Sequence, residues 1–198
     1  MTTEEGARLG SEAARRLARL GRADVLPGLS AEEFARIEEE FGFAFSDDHR
    51  AFLAAGLPVD RPSPTEHRRS WPNWRDGDPD ELRERLARPV EGVLFDVEHN
   101  AFWSPHWGAK PDTSSRALDV ARRELASVPQ MAPVYAHRYL PAARGTYGHP
   151  VLSMHQTDVI HYGADLADYI DREFNGPPRG ENASHPRSTV AFWRDLVE

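Results

Sequence analysis

The spacing of apolar residues changes halfway along the chain, and this change limits the folds that the chain can adopt. In the first half, apolar residues recur every three or four positions, as on one face of a helix. Ser30 and Glu33 form a capping box that opens one such helix, and Gly42 ends it. Ser46 and Gly56 bound the next helix in the same way. An amphipathic helix also precedes them, with apolar residues at Leu9, Ala13, Leu17 and Leu20.

Alternation with a period of two, which is typical of strands, appears in the second half. It predicts a strand over 93–97, a strand over 134–140 and a hairpin over 151–162 that turns around 156–158. Helical spacing also appears before, between and after these strands, at 78–87, 113–127 and 164–174 and around Phe192, Trp193 and Leu196.

Because helices come first and strands later, without strict alternation, the sequence predicts an α+β fold. We expect a mostly antiparallel central sheet flanked by helices, with extra N- and C-terminal helices. The predicted organisation is an N-terminal helix at 1–25, a domain at 26–175, and a linker with a C-terminal helix at 176–198.

Composition excludes several classes of function. The chain has no cysteine, which removes disulfides, thiolate metal sites and cysteine nucleophiles. Its net charge of −8 is unfavourable for direct nucleic-acid binding. The start lacks an apolar run and no long apolar segment follows, so we expect no secretory signal and no membrane association. A cytoplasmic protein without a cofactor is the resulting expectation.

Three stretches of the sequence carry recognisable motifs: 45–58, 92–100 with Phe102 and Trp103, and 150–163. Together they resemble the SMI1/KNR4 family of the SUKH superfamily. The first, residues 45–58, resembles its early helix-to-glycine signature, although Ser46 stands where many relatives have proline. The second, residues 92–100 followed by Phe102 and Trp103, resembles its central strand, and the third, residues 150–163, its late hairpin.

The resemblance implies a non-catalytic α+β module that binds another protein. Bacterial relatives commonly act as immunity proteins that neutralise a toxin, often a nuclease, whereas the fungal namesake regulates cell-wall synthesis. The family supplies no agreed catalytic residue. We therefore expect a protein partner such as a basic toxin, with a housekeeping scaffold or regulator as the alternative.

A metal-dependent hydrolase is a further alternative that the residues allow. On the predicted strand, Asp96 and Glu98 would leave the same face about 6–7 Å apart. His155 and His161 of the hairpin could complete a site without thiolates, beside His99 and Asp158. Convergence depends on the turn: a two-residue turn pairs His155 with Asp158 and turns His161 away, whereas a three-residue turn brings the histidines together.

Four tryptophans lie in proline-containing stretches, where helix or strand packing does not explain them: Trp71, Trp74, Trp103 and Trp107. One interpretation is that they anchor two long loops on the core. The other is that they form a binding surface, because tryptophan is enriched at interaction hot spots.

The second half also contains a concentration of negative charge. Residues 151–175 hold five acidic residues against one arginine, and on the predicted helix Asp165, Asp168 and Asp171 form an acidic flank. This flank is either a solvated face or a docking surface for a basic partner. The candidate partner-binding residues are Trp103, Trp107, Asp158, Asp165, Asp168, Asp171, Asp96 and Glu98; no catalytic or metal-ligating residue is expected.

Overall fold

The computed structural model describes residues 2–61, 71–175 and 189–197, and within them the α+β fold is confirmed. Six α-helices are α1 (Glu4–Leu20), α2 (Ala31–Phe41), α3 (Asp47–Ala55), α4 (Pro79–His99), α5 (Ser114–Leu125) and α6 (Leu166–Glu173). Six strands are β1 (Asp24–Leu26), β2 (Leu57–Val59), β3 (Met131–Tyr135), β4 (Arg138–Pro141), β5 (Val151–His155) and β6 (Asp158–Gly163). Short 3-10 turns lie at Pro105–Trp107 and Trp193–Leu196, the second being the last helix of the chain. No helix in these ranges has both the length and the apolar composition that crossing a bilayer requires.

The main sheet is antiparallel in the order β3-β4-β5-β6 and separates two apolar cores. Because strand side chains alternate between faces, Leu140 and Val151 join a core with α1, α2, α3 and α6. Tyr139 and Leu152, their neighbours in sequence, join a second core with α4, α5 and Trp193. A second, small sheet pairs β1 with β2. The main sheet is therefore the middle layer between two helical layers.

The predicted N-terminal helix is confirmed as α1, and it packs closely on α3. A Cβ atom at Gly10 would lie 2.1 Å from the carbonyl oxygen of Asp48, so only glycine allows this approach. Arg16 of the same helix pairs with Asp171 of α6. Residues 62–70 of the predicted first loop and 176–188 of the predicted linker lie outside the described residues, and the predicted domain limits stay a prediction.

Two buried aspartates at the start of α3 hold the N-terminal layer to the loop between β4 and β5. Asp47 accepts hydrogen bonds from the backbone N–H groups of Thr3 at 2.7 Å and Gly145 at 3.0 Å. Asp48 accepts from the N–H of Gly148 at 2.8 Å and from the hydroxyl of Ser46 at 2.8 Å. Burial raises the pKa of Asp48 and these hydrogen bonds oppose the rise. The two carboxylates thus join three separate segments.

The strand predicted over 93–97 is wrong, because these residues continue α4 to His99. The apolar residues there also match a helical stripe that runs from Leu82 through Leu86 and Val93 to Val97, all of them buried. The prediction ended the helix near residue 87, where the spacing changes to two, but the helix continues through Pro89. A stretch that resembles a family's central strand is therefore helical in this chain.

Tyr139 replaces the hydrogen bond that Pro89 removes from α4. Pro89 has no N–H, so it cannot donate to the carbonyl of Arg85, its partner four residues earlier. The hydroxyl of Tyr139, from β4, donates to that carbonyl at 3.0 Å inside the core. Burial raises the pKa of Tyr139 to about 12, so the phenol keeps the proton that this bond needs. A side chain of the sheet replaces the missing helix donor.

The single strand predicted over 134–140 is also wrong, since it is a hairpin. β3 and β4 are joined by a two-residue turn, Ala136-His137, and Tyr135 pairs with Arg138. Ala136 has a positive φ of 48°, a conformation that turns usually give to glycine or asparagine. Its sequence therefore lacks the usual turn signal.

Tyr139→Phe should lower the free energy of unfolding by about 1–3 kcal/mol, because it removes a buried donor to the Arg85 carbonyl. In a Pro89→Ala background the same change should cost less, since the introduced alanine can donate to that carbonyl through its own N–H. Urea unfolding of the four proteins of this double-mutant cycle measures the coupling. Strictly additive costs would contradict the assigned role of the hydroxyl.

His49 makes stability depend on pH. It is buried beside Phe45, with ring centroids 5.1 Å apart, and its Nδ1 has no hydrogen-bond partner among the described residues. Burial lowers its pKa from 6.5 to about 3, so the folded state holds the ring neutral. Below pH 6.5 the unfolded chain binds a proton that the folded chain does not bind, and stability is lost as the pH falls toward 3.

We therefore expect His49 to cost the folded state about 2 kcal/mol between pH 6.5 and 4.5. His49→Phe keeps a ring in the same space and removes this proton. Urea unfolding of both proteins at several pH values gives the difference, in which other titrating groups such as Asp48 largely cancel. Parallel stability curves for the two proteins would refute the assignment.

Candidate interaction surface

The acidic flank predicted on α6 does not face solvent. Asp165 caps the helix by accepting from the N–H of Asp168 at 2.8 Å. Asp168 is buried, accepts from the N–H of Ala164 at 2.8 Å and pairs with Arg172 at 3.0 Å. Asp171 is buried and pairs with Arg16 of α1. The interpretation of these three residues as an exposed docking surface is corrected, because α6 turns its acidic side toward α1 and its own first turn.

Asp96 and Glu98 do not share a face, because they lie on a helix and not on a strand. Asp96 is buried, and its Oδ2 accepts from the N–H of Thr157 at 2.9 Å and from the hydroxyl of Thr157 at 2.6 Å. Burial acts to raise the pKa of Asp96, but the hydrogen bonds from Thr157 and Asn100 outweigh it and hold the pKa below its usual value. Glu98 is exposed, 3.5 Å from the ring of His99.

Asp96 holds the tip of the β5–β6 hairpin against α4. Gly92, one helical turn earlier, allows this contact, since a Cβ atom there would lie 2.8 Å from the Cα of Gln156. The turn consists of Gln156 and Thr157, and His155 pairs with Asp158. The two-residue turn, one of the two registers that the sequence allowed, is therefore confirmed.

This register separates the residues of the hypothetical metal site. His155 and Asp158 are exposed at the end of the hairpin, whereas His161 pairs across from Leu152, whose side chain lies in the second core. Asp96 points to Thr157 and Glu98 to His99. Within the described ranges, no three histidine, aspartate or glutamate side chains come together in a way that could hold a metal ion.

Trp103 and Trp107 belong to a cluster of four half-buried rings outside the long helices and the sheets. Trp103 and Trp107 meet edge to face at 5.2 Å, and Phe102 meets Trp107 at 5.9 Å. Phe192, from the C-terminal segment, stacks on Trp107 at 5.9 Å with the rings 8° from parallel. We call Phe102, Trp103, Trp107 and Phe192 the aromatic surface.

Hydrogen bonds fix the loop that carries the first three rings. The N–H of Phe102 donates to the carbonyl of Asp96 at the end of α4, at 3.0 Å. The indole of Trp103 donates to the carbonyl of Gly108 at 2.8 Å. The ammonium of Lys110 donates to the carbonyl of Ala101 at 3.1 Å and lies 5.9 Å from the centre of the Trp103 ring. The loop is therefore ordered before any partner arrives.

The C-terminal segment completes the aromatic surface. Trp193 is buried in the second core, and its indole donates to the carbonyl of Pro129 at 2.8 Å. This anchor places Phe192 over Trp107, although Phe192 has a φ of 69°, which costs a bulky residue about 1–3 kcal/mol. Val197 forms a bridge with Val159 of β6. The sequence predicted both tryptophans of the loop but contained no signal for Phe192, which joins them from 85 positions away.

The other two tryptophans have a different role. Trp71 and Trp74 are buried in the first core, where Trp71 stacks on Phe174 and Trp74 meets Phe45 edge to face. They anchor the end of the first loop, as one of the two interpretations held.

Asp96→Ala should lower the free energy of unfolding by about 1–3 kcal/mol, because it removes the acceptor for both groups of Thr157. Glu98→Ala, an exposed acid on the same helix, is the matched control and should stay within about 0.5 kcal/mol of the unchanged protein. Urea unfolding measures both, and amide hydrogen exchange should show faster exchange at Thr157 in the first variant only. Equal effects of the two substitutions would argue against the hairpin contact.

The geometry described above is the basis for assigning a function, because comparison with known proteins finds no match. No protein-family model, no curated protein and no solved structure matches the chain. The resemblance to SMI1/KNR4 proteins stays a prediction from its sequence motifs.

Proposed function

We propose that this chain is a non-catalytic protein-binding module of the immunity type, which binds a toxin in the cytoplasm and blocks it. The observation that carries the proposal is the aromatic surface, where two tryptophans and two phenylalanines lie half-buried in a preordered loop and tail. Interaction hot spots are enriched in tryptophan, and rings that are already ordered lose little entropy on binding.

The surroundings of the aromatic surface give the proposal its electrostatic part. Glu98 is exposed four residues before Phe102, and Asp158 is exposed next to Val159, which bridges to the C-terminal segment. With a net charge of −8 on the chain, these two exposed acids are the groups that, in this proposal, attract a basic partner such as a nuclease. Complementary charge of this kind speeds encounter, whereas the half-buried rings supply affinity.

Occlusion is the mechanism that such a surface can perform. The aromatic surface would cover the active cleft of the partner or the region beside it. The substrate of the partner could then no longer enter the cleft. No chemical step on the toxin is required, and no residue of this chain needs to be catalytic.

A housekeeping scaffold or regulator would use the same surface without a toxin. The genes beside this one discriminate between the two, since a toxin gene alongside favours immunity. If the neighbouring gene encodes a toxin, its coexpression with this chain should restore growth of the host cells.

Trp103→Ala should weaken binding of that toxin at least about 30-fold, the effect of losing one hot-spot side chain. Calorimetric titration of the purified proteins measures the affinity, and the melting temperature should change by less than about 4 °C because Trp103 is half-buried. Trp103→Phe keeps a ring in place and should recover part of the affinity.

Phe95→Ala provides the matched control for this experiment. Phe95 is an aromatic residue of α4 with 46% exposure whose ring contacts His99 and no ring of the aromatic surface. Its loss should leave toxin binding within about twofold. An unchanged affinity of Trp103→Ala, or an equal loss in Phe95→Ala, would contradict the proposed surface.

A further inference from the structure

The free edge of β1 lies next to an apolar groove on the far side of the main sheet from the aromatic surface. β1 is one strand of a two-stranded sheet, and all three of its residues are exposed. Val25 is 47% exposed and Leu26 37% exposed, an unusual amount for large apolar side chains on adjacent residues. Exposed strand edges of this kind can pair with another chain.

Pro58 determines which backbone groups of β1 are free. In an antiparallel pair, residues that face each other alternately exchange two hydrogen bonds or none. Val25 faces Pro58, and because proline has no N–H this must be a pair without hydrogen bonds. The N–H and the carbonyl of Val25 therefore point away from β2, and among the described residues no hydrogen bond reaches them.

The groove beside this edge is smaller than a typical ligand pocket. It measures about 250 Å³ and is lined by Ser11, Ala14, Leu17, Val25, Phe52 and Ala55, with Arg15 at its side. Pockets for drug-sized ligands are commonly about 300–1,000 Å³. A branched aliphatic side chain fits the smaller volume and the apolar lining better than a whole small molecule does.

The charge around the groove is positive, although the chain as a whole is acidic. Arg15 is the single charged residue among the described lining residues. Three arginines share the carboxylate of Glu12. Their distances to it are 2.7 Å for Arg15, 2.7 Å for Arg16 and 3.8 Å for Arg19. Arg16 also pairs with Asp171, so two carboxylates face three guanidinium groups and one positive charge is left over. Arg15 has a side chain 68% exposed and is available to an acidic group of a partner.

We propose that the free edge of β1 binds an extended segment of another protein, which adds as an antiparallel strand and places one aliphatic side chain in the groove. The residue of that segment opposite Val25 exchanges two backbone hydrogen bonds with it, as in other strand-addition complexes. An acidic side chain two residues away lies on the same face and meets Arg15. The partner is thus defined by an aliphatic residue flanked by acids at a spacing of two.

This surface is independent of the proposed function. The groove is built on α1, α3 and β1, and both of these helices pack on the first core, whereas the aromatic surface is built on the second core. A substitution in the groove should leave binding at the aromatic surface unchanged, so failure of one proposal is distinguishable from failure of the other.

The test uses a synthetic peptide because no natural partner has to be known. The probe is a fluorescein-labelled heptapeptide, Thr-Glu-Thr-Ile-Thr-Glu-Thr, which has the proposed pattern, and fluorescence anisotropy with the full chain measures its binding. One control peptide replaces both glutamates with lysine. The other carries a methyl group on the backbone nitrogen of isoleucine, which removes the hydrogen bond to the Val25 carbonyl and leaves every side chain in place.

Ala55→Arg and Ala54→Arg are the matched variants of the chain. Both residues are exposed at the end of α3, but only Ala55 lines the groove. Circular dichroism shows that each variant is folded. Ala55→Arg should weaken binding of the probe at least tenfold, and Ala54→Arg should weaken it less than twofold. Each control peptide should bind the unchanged chain at least tenfold more weakly than the probe does.

Amide chemical shifts of the labelled chain locate the peptide. Changes confined to residues 11–18, 24–26 and 52–56 support the proposal. Lack of saturable binding up to about 1 mM probe, equal binding of the N-methylated peptide, or equal effects of the two arginine variants would overturn it. Sedimentation that shows the chain dimerising through this edge would overturn it as well, because the occupant would then be a second copy.

Discussion

The hydrogen bond from the hydroxyl of Tyr139 to the carbonyl of Arg85 is the interaction on which the second half of the structure depends. Pro89 leaves that carbonyl without its helical donor, and such a gap inside a core costs enough to end a helix. Because β4 supplies the donor, α4 continues for ten residues beyond the proline. The bond also ties helix and sheet together beside the second core, which the part of α4 beyond Pro89 helps to form.

The end of α4 positions two features of the second helical layer, the hairpin tip and the aromatic surface. Asp96 lies two turns beyond Pro89, where it reaches the hairpin tip, and its own carbonyl accepts from the N–H of Phe102 to start the aromatic loop. Trp107 then stacks on Phe192, whose place near the chain terminus is fixed by the buried Trp193. The aromatic surface is therefore assembled from two segments that share one core, and its geometry depends on tertiary packing more than on local sequence.

Local signals in the sequence predicted α1, α2, α3, α5, α6 and the β5–β6 hairpin, because caps and apolar spacing act within a few residues. The predictions were wrong where residues distant in sequence determine the local structure. Val93–Val97 fits both a strand and a helix, and Tyr139, more than 40 positions away, decides for the helix. Ala136-His137 turns without a turn signature. Asp168 and Asp171 look like a solvated flank until their partners, the Ala164 amide and Arg16, are known. Of the candidate site, the tryptophan pair could be predicted, whereas Phe192 and the orientation of each carboxylate could not.

Burial of five aspartates limits how the chain can recognise partners. Asp47, Asp48, Asp96, Asp168 and Asp171 are buried and bound to groups of the protein itself, so they hold segments together and offer little to a partner. What remains outside is mixed: Glu98 of α4 and Asp158 of β6 are exposed acids, whereas Lys110 lies against Trp103 and Arg15 lies beside the groove of β1. Since screening limits exposed charges to about 8–10 Å in physiological salt, each of these groups acts only near its own surface. The net charge of −8 therefore says little about either surface, and under the two proposals the surfaces would select partners of opposite charge.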